Sequence, residues 1–379
     1  MHTEHEFENI IEKELLQLSG YEQGNAKNYD PETALFPTEI INFIQQTQPE
    51  AWKYLVKASA NESEKIIIDS LTKELKSRGI LDVLRHGFKC YGKTFKIVYF
   101  QPNTTMNPET LKLYQKNHLT VTRQVTIKTG GIPDILLSIN GLPIASIELK
   151  NPLSGSTYQK AIHQYQTDRD PKDPLFTFKQ RCLVHFAVDS EQVWMTTKLA
   201  KENTYFLPFN KGHNHGAGNP IGNHGEYRTS YLWLEVLQKD SLLDIVARFL
   251  HLDVKEIKII TDTGIKYQKK ETLIFPRYHQ LNVVRKLIKH SQENKAGHNY
   301  LIQHSAGSGK SNSIAWLAHR LANLHDHQNE KIFHTVVVIT DRTVLDQQLQ
   351  NTIYQFEHKA GVVQKIDENT QQLAKALND

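Results

Sequence analysis

The chain has 379 residues, of which 39% are hydrophobic and 23% charged, and its formal net charge is +4. This length accommodates at least two domains, and the composition is that of an ordinary soluble globular protein. No apolar run approaches the ~20 residues of a membrane span, and the polar, acidic N-terminus is not typical of a signal peptide. Two cysteines are too few for a disulfide framework, which favours a reducing, cytoplasmic setting.

Helical periodicity dominates the first part of the chain, in "FENIIEKELLQL", "PTEIINFIQQ" and "AWKYLVKA…SEKIIIDSLTKELKSRG". From Phe88 onward the pattern changes to strands: "FKCYGKTFKIVYF" predicts a hairpin, and "LTVTRQVTI", "DILLSI" and "LPIASIELK" predict a sheet with a turn at Asn140-Gly141. "STYQKAIHQYQTD" then predicts a helix, and "RCLVHFAVDSEQVWMTT" predicts two more strands. The first half is therefore a mixed sheet flanked by helices.

The second half begins with a predicted helix pair, "LWLEVLQKDSLLDIVARFLHL", followed by a strand-like "KEIKII". Strands and helices then alternate: helix "QLNVVRKLIKHS", strand "NYLIQHS", helix "SNSIAWLAHRLANL", strand "TVVVIT" and helix "RTVLDQQLQNTI". Such alternation predicts a parallel sheet with right-handed crossovers, of which only two strands are present.

Two carboxylates and one ammonium stand on strands that otherwise favour burial. Asp134 opens the strand "DILLSI", and Glu148 and Lys150 share one face of the next strand, because side chains two apart point the same way. The Asn140-Gly141 turn folds the two strands together, so that Asp134 and Glu148 converge. Two hard oxygen ligands suit Mg²⁺, and Lys150 beside them would assist phosphodiester hydrolysis. The alternative is a surface hairpin with an ordinary Glu–Lys pair.

A phosphate-binding loop is predicted between a strand and a helix in "LIQHSAGSGKSNSIAWL". Gly307, Ser308 and Gly309 let the backbone close around phosphates, and the N-terminus of the following helix adds a partial positive charge. Lys310 would reach the β- and γ-phosphates of ATP, and Ser311 would hold its Mg²⁺.

The surroundings of this loop suggest a helicase-type motor. The strict Walker pattern requires glycine at position 304, where this chain has His304, and helicase-type loops are less strict there. Gln280 in "FPRYHQ" corresponds to the upstream glutamine with which helicases recognise adenine. "ITDRTVLDQQL" resembles a motif that touches the DNA backbone, and its candidate residues are Thr340, Arg342, Asp346 and Gln347.

The strand–turn–strand–helix order around Asp134, Glu148 and Lys150 resembles the PD-(D/E)xK nuclease superfamily. In one subgroup of that superfamily a Gln-x-x-x-Tyr helix supports the site. Tyr165 matches the tyrosine, but position 161 is alanine, so that Gln164 is one of three candidates for the amide role, with Gln159 and Gln166. Glu8 on the first helix is predicted to be an ordinary surface glutamate, with the additional acid that some of these nucleases carry as the alternative.

Taken together, the motifs resemble the R (restriction) subunits of type I restriction–modification enzymes. The resemblance covers nearly all of the chain, including "YFQPNTTMNPETLKLYQKNHLTVTRQV" and "YRTSYLWLEVLQKDSLLDIVARFLHL". It implies ATP-driven translocation along double-stranded DNA, Mg²⁺-dependent cleavage, and partnership with methyltransferase (M) and specificity (S) subunits. It also implies that a full subunit continues with an acidic box and a second RecA-like lobe, so we expect no steady ATP hydrolysis from these 379 residues alone.

The predicted organisation follows from this resemblance. Residues 1–240 form an endonuclease domain with its core at about 88–200, residues 241–270 a linker or interdomain brace, and residues 271–379 a truncated first RecA-like lobe. Two alternatives stay open: a stand-alone helicase–nuclease of DNA repair or phage defence, and a non-catalytic assembly module. The loop "GHNHGAGNPIGNHG", with His213, His215 and His224, is predicted to be a polar loop, with a zinc site as the alternative.

Overall fold

The computed structural model describes residues 4–59, 62–152, 155–222, 226–261, 264–341, 349–350, 352–354, 363–364, 366 and 370–378. The chain divides into two compact units, Met1–Pro102 with Asn107–Leu250, and Asn103–Met106 with His251–Asp379. The division after Leu250 lies within the stretch that the sequence indicated as a linker. In the part of the chain that the structure describes, no helix is long and apolar enough to cross a membrane.

The first unit contains helices whose apolar residues recur at helical spacing and face the core. They are α1 Glu4–Leu18, α2 Pro37–Thr47, α3 Pro49–Ser59, α4 Ser63–Arg78, α5 Ile80–His86, α6 Pro108–Gln115, α7 Tyr158–Thr167 and α8 Lys239–Arg248. Local signals set their ends: α6 starts with a proline after Asn107, whose side chain accepts the N–H groups of Glu109 and Thr110. These helices confirm the helical predictions for this half.

The strands of the first unit form a small hairpin and a larger mixed sheet. They are β1 Glu22–Gln23, β2 Phe88–Cys90, β3 Lys93–Phe95, β4 Leu119–Thr122, β5 Ile135–Ile139, β6 Leu142–Leu149, β7 Val184–Val188, β8 Val193–Thr196 and β9 Leu207–Pro208. β2 and β3 pair as the predicted hairpin, and the others form a seven-stranded sheet in the order β1-β4-β5-β6-β7-β8-β9. β6 is central, antiparallel to β5 and parallel to β7, and all its residues are buried.

The ribbon formed by β5 and β6 is fixed by the turn between them. Asn140 and Gly141 have φ of 49° and 86°, the left-handed pair that a tight hairpin requires. A Cβ at Gly141 would lie 2.6 Å from the carbonyl oxygen of Phe36, so only glycine allows α2 to pack against this turn. The predicted turn is confirmed. The turn and a register shift between Leu137 and Ser138 together determine which residues of the two strands face each other.

The segment before the unit boundary packs against α1 and the residues that follow it. Ser19 donates a hydrogen bond to the carbonyl of Trp233 at 2.8 Å, and Tyr21 donates one to the carbonyl of Leu237 at 2.7 Å. Residues 232–236 form a π-helical turn and α8 buries four apolar side chains. Residues 241–250 belong to the first unit, and the interdomain brace stays a prediction.

The second unit contains a long hairpin, β10 His251–Thr261 with β11 Gly264–Ile274, then the helices α9 Tyr278–Asn294 and α10 Lys310–Ala322, and a final helix Thr370–Asn378. Both helices predicted on either side of the phosphate loop, α9 and α10, are confirmed. The strands predicted in "NYLIQHS" and "TVVVIT" are not formed, and Leu301 and Ile339 are 93% and 87% exposed. A parallel strand exists only with hydrogen-bonded neighbours, and the described residues supply none beside these segments. The RecA-like assignment therefore stays a prediction.

Candidate active site

Glu148 lies on the central strand β6 with its side chain fully buried. Its Oε1 accepts a hydrogen bond from Nε of Arg169 at 2.7 Å. Its Oε2 is buried and has no hydrogen-bond partner among the described residues. Burial raises the pKa of Glu148 to about 8, with a further rise from the nearby Asp134, while Arg169 acts in the opposite direction. A buried carboxylate with one unsatisfied oxygen is an unusual and costly group.

Asp134 lies across the ribbon from Glu148. Because Ile135 pairs with Ile147, the next step along the antiparallel ladder brings Asp134 opposite Glu148, on the same face. Its Oδ2 accepts the backbone N–H of Leu149 at 2.7 Å. Burial raises the pKa of Asp134 to about 6, opposed by this hydrogen bond and by the Lys150 ammonium. The two carboxylates predicted to converge are thus brought together.

Lys150 follows directly after β6, and its side chain reaches back over the ribbon. Its Nζ donates to Oε1 of Glu4 at 2.8 Å and to the carbonyl of Leu149 at 2.7 Å. It lowers the pKa of both Asp134 and Glu148, so its charge acts on the site. The structure therefore gathers the predicted aspartate, glutamate and lysine at one end of the ribbon, and α1 holds the lysine in place.

Glu8 lies on the same helix, α1, and is also buried, with 8% of its surface exposed. It forms an ion pair with Arg123, which also bonds Glu12 at 3.0 Å. Its charge raises the pKa of Asp134, which puts it near the site. The prediction that Glu8 is an ordinary surface glutamate is therefore wrong, because its side chain is buried. Its carboxylate is paired with Arg123.

Tyr165 is buried on the face of α7 that packs against the sheet. Its hydroxyl lies 2.8 Å from Oγ of Ser146, which in turn lies 2.8 Å from Nδ1 of His185. Burial lowers the pKa of His185 to about 3, so the imidazole is neutral. Ser146 stands two residues before Glu148 on the same face of β6, so Tyr165 acts on the strand that carries the glutamate.

Within the described residues, the three glutamines predicted as candidates for the amide role make no hydrogen bond with the β6 side chain that Tyr165 reaches. The Gln166 amide donates to the carbonyls of Glu202 and Thr204 at 3.4 and 3.3 Å, and the Gln159 carbonyl accepts from Thr157. Gln164 is half-buried, and no hydrogen bond in the described ranges joins its side chain to Glu148 or Lys150. The amide role of Gln164 stays a prediction without a contact in its support.

The carboxylates fit a magnesium ion by their chemistry. Oε2 of Glu148 has no hydrogen-bond partner in the described part of the chain, and a divalent cation is the kind of group that satisfies such an oxygen. Among the residues described, no three His, Cys, Asp or Glu side chains form a closed metal cage. A site with two carboxylates would leave the remaining coordination positions of the ion to water and to a phosphate oxygen. Mg²⁺ is commonly bound in this way.

The phosphate loop lies in the second unit, immediately before α10. Gly307 and Gly309 have φ of 71° and 81°, and Lys310 is the first residue of the helix. Its Nζ donates to the carbonyls of His304 and Ser305 at 3.1 and 2.9 Å, spanning the loop. Binding of phosphates by this loop stays a prediction.

Gln280 lies directly against this loop, with 3% of its surface exposed. Its Oε1 accepts the N–H of Arg277, which caps α9, and its Nε2 donates to the carbonyl of Gly309 at 2.9 Å. A Cβ at Gly309 would lie 2.5 Å from that nitrogen, so the glycine makes room for the amide. Ser308 is buried, and Ser311 lies in the first turn of α10. Recognition of adenine by Gln280 stays a prediction.

Some predicted residues lie outside the described part of the chain. They are Arg342, Asp346, Gln347 and His224. Thr340 is described and lies in an irregular segment. His213 and His215 are exposed in a loop, and neither belongs to a three-ligand group among the described residues. The described part thus agrees with the polar-loop prediction.

Sequence reasoning missed Arg169, which is 4% exposed and is the only described side chain that hydrogen-bonds Glu148. Its Nη2 also donates to the carbonyl of Ile132 at 2.8 Å. Arg169 lies beyond the end of α7 at Thr167, so no helical spacing pointed to it. Glu4, the partner of Lys150, carried no sequence signal.

Comparison with protein families identifies the class. The model of the type I restriction enzyme R protein N terminus matches residues 1–204, and the model of the SWI2/SNF2 ATPase matches residues 279–379. The first match covers more than half of the chain. The chain therefore belongs to the family of type I restriction enzyme R protein N termini.

Curated relatives agree with this membership. The type I restriction enzyme HindI endonuclease subunit of Haemophilus influenzae is 24% identical over 87% of this chain and 30% of its own length. The putative type I restriction enzyme MjaVIIIP endonuclease subunit of Methanocaldococcus jannaschii is 25% identical over 91% of this chain and 31% of its own. The chain thus spans about a third of the length of these relatives.

Proposed function

We propose that this chain is the nuclease and phosphate-loop part of a type I restriction subunit, acting on unmodified double-stranded DNA in the cytoplasm. The observation that carries the proposal is the β5–β6 ribbon, which sets Asp134 opposite Glu148 and leaves Oε2 of Glu148 buried with no partner among the residues that the structure describes. An unsatisfied buried carboxylate destabilises the fold, and a bound cation would offset this cost by satisfying the free oxygen.

In this proposal Asp134 and Glu148 hold Mg²⁺, and the other residues prepare the site. Bound there, the ion supplies Lewis-acid polarisation of the scissile phosphate and a more acidic water. Lys150, held by Glu4 and the carbonyl of Leu149, puts a positive charge where negative charge accumulates on the phosphate during attack. Tyr165 fixes β6 through Ser146, which preserves the position of the glutamate.

The phosphate loop would bind ATP for translocation of the DNA. Backbone N–H groups at Gly307–Gly309 and the N-terminus of α10 favour an anion. The Lys310 ammonium already lies across the loop, where it donates to two backbone carbonyls. A bound phosphate would replace these carbonyls as the acceptor and form stronger, charge-assisted hydrogen bonds. Methyltransferase and specificity subunits are the partners that this function requires.

The test uses the full-length subunit assembled with methyltransferase and specificity subunits. We expect Asp134→Ala and Lys150→Ala to abolish cleavage of unmodified DNA and to leave ATP hydrolysis within twofold of the parent complex. Lys112→Ala, which removes an exposed lysine paired with Glu109, is the control and should cut normally. If both site variants still restrict DNA, the nuclease assignment fails.

Two other functions fit less well. An assembly module with a decayed site would have no reason to retain the aspartate, the glutamate and the lysine together at the end of a buried ribbon. A stand-alone helicase–nuclease of DNA repair or phage defence differs in its partners, and co-purification with methyltransferase and specificity subunits separates it from the proposed function.

A further inference from the structure

We infer that Arg169 is the positioning residue for Glu148, in place of the glutamine that is missing from α7. The inference rests on the proposed magnesium site and deepens it. A carboxylate binds a metal well only when its rotamer is fixed, and supporting hydrogen bonds fix it. Position 161, where the supporting amide was expected, is a buried alanine in this chain. Another side chain must therefore orient the glutamate.

The contacts of Arg169 meet this requirement. Its Nε donates to Oε1 of Glu148 at 2.7 Å, which occupies one oxygen and leaves Oε2 for the ion. Its Nη2 donates to the carbonyl of Ile132 at 2.8 Å, two residues before Asp134. One guanidinium therefore ties both arms of the ribbon, and its planar fork sets the direction of each bond.

Gly131 shows that the backbone accommodates this arginine. A Cβ built at Gly131 would lie 2.7 Å from Nη1 of Arg169, a distance that real Cβ atoms do not tolerate. The φ of Gly131 lies outside the left-handed region, so an alanine there adds no backbone strain; its Cβ would meet the guanidinium and, at 3.4 Å, Cδ1 of Ile127. An alanine at 131 would therefore displace the guanidinium from its present position.

The charge of Arg169 and its orientation of Glu148 have opposite effects on metal binding, so the test variants must change one and keep the other. The Arg169 cation repels a metal ion, so its removal by alanine would favour metal binding electrostatically while the loss of orientation opposes it. Arg169→Lys keeps the charge and loses the fork. Gly131→Ala keeps the arginine itself and displaces it. Both variants therefore change orientation at constant charge.

The experiment is a titration of the 379-residue chain with Mn²⁺, followed by calorimetry or electron paramagnetic resonance, with thermal unfolding measured on each variant. We expect Arg169→Lys and Gly131→Ala each to weaken Mn²⁺ binding about tenfold or more. Arg181→Lys is the control for a buried arginine, because Arg181 bonds only backbone carbonyls, of Thr33 and Gln180, among the described residues. Gly216→Ala is the control for the glycine, since its Cβ would meet nothing closer than 3.4 Å.

The outcomes separate the inference from the function on which it rests. If the parent chain binds Mn²⁺ and both orientation variants bind it equally well, Arg169 does not position Glu148 and the inference is overturned. If Arg169→Lys does not fold, Mn²⁺ binding by Gly131→Ala alone tests whether Arg169 positions Glu148, because this variant removes no hydrogen-bonding group. If the parent chain binds no Mn²⁺ and Asp134→Ala behaves identically, the proposed metal site itself fails, and the inference fails with it.

Discussion

Replacement of Asp134 by asparagine should stabilise the metal-free protein. Burial raises the pKa of Asp134 from 3.8 to about 6, which at ~1.4 kcal/mol per pH unit is about 3 kcal/mol at pH 8. Partial exposure of the side chain screens part of this cost, so we expect a gain of about 2 kcal/mol. Asparagine retains an oxygen that accepts the N–H of Leu149, and its neutrality also relieves the repulsion on Glu148.

The pH dependence follows from the sign of the shift. The folded state binds the Asp134 proton more tightly than the unfolded state does. The contribution of this proton to folding stability is therefore fully present below pH 3.8 and is lost as pH rises through about 6. The advantage of asparagine should therefore fall to roughly half at pH 5. In a chelating buffer, about 2 kcal/mol corresponds to a rise of about 4–8 °C in the unfolding temperature.

Thermal unfolding at pH 8 and at pH 5 measures this difference directly. Asp173→Asn is the matched control, because the Asp173 carboxylate accepts hydrogen bonds from Thr129 and from the N–H of Leu175 and should lose stability when neutralised. An Asp134→Asn variant that is no more stable than the parent at pH 8, or equally favoured at both pH values, would refute the reasoning.

Three further substitutions test the surroundings of the two sites. Tyr165→Phe removes the hydroxyl next to Ser146 and should cost about 1–2 kcal/mol of unfolding free energy, read from the melting temperature. Gly141→Ala should cost more than 2 kcal/mol, because it combines a left-handed backbone with a contact to α2, and it should lower the yield of folded protein. Gly309→Ala should abolish binding of a fluorescent ATP analogue, because its Cβ meets the Gln280 amide.

Each of these three has a control within the chain. The Tyr29 hydroxyl is buried without a partner in the described residues, so Tyr29→Phe should be neutral or stabilising, unlike Tyr165→Phe. Gly130→Ala and Gly297→Ala carry the same left-handed strain as Gly141→Ala and Gly309→Ala, but a Cβ at either position meets nothing within 4 Å. Equal losses in a variant and its control would show that the specific contact has no effect.

The active-site ribbon was predictable because its signals are local. Alternation over two strands, an Asn-Gly turn between them and a two-residue spacing between Glu148 and Lys150 determine which side chains share a face. Counting from Asn140 and Gly141 alone would place Asp134 opposite Ile147. A register shift between Leu137 and Ser138, which the pattern did not reveal, brings Asp134 opposite Glu148.

The partners of these side chains were not predictable, because they come from distant parts of the chain. Glu4, which holds Lys150, lies 146 residues away, and Arg123 reaches Glu8 across 115 residues. No local pattern encodes such contacts, which arise when α1 packs against the sheet. Arg169 follows the end of α7 at Thr167, so neither helical spacing nor a local pattern pointed to its contact with Glu148.

The two strands predicted for the second unit illustrate a different limit. "NYLIQHS" and "TVVVIT" have the composition of buried parallel strands, and composition predicts the tendency to form a strand. A parallel strand is realised only when neighbours accept and donate its backbone hydrogen bonds, and Leu301 and Ile339 remain exposed here. The helices α9 and α10 on either side of the predicted phosphate loop were predictable, because their periodicity is local.

The central claim is that the ribbon carries a divalent metal ion between its two carboxylates. Anomalous diffraction from a crystal of this chain soaked in Mn²⁺ tests it most directly. We predict one peak that contacts both the Asp134 carboxylate and Oε2 of Glu148, and its loss in Asp134→Asn. A parent crystal with no peak at these oxygens, or with manganese bound only elsewhere, would contradict the account.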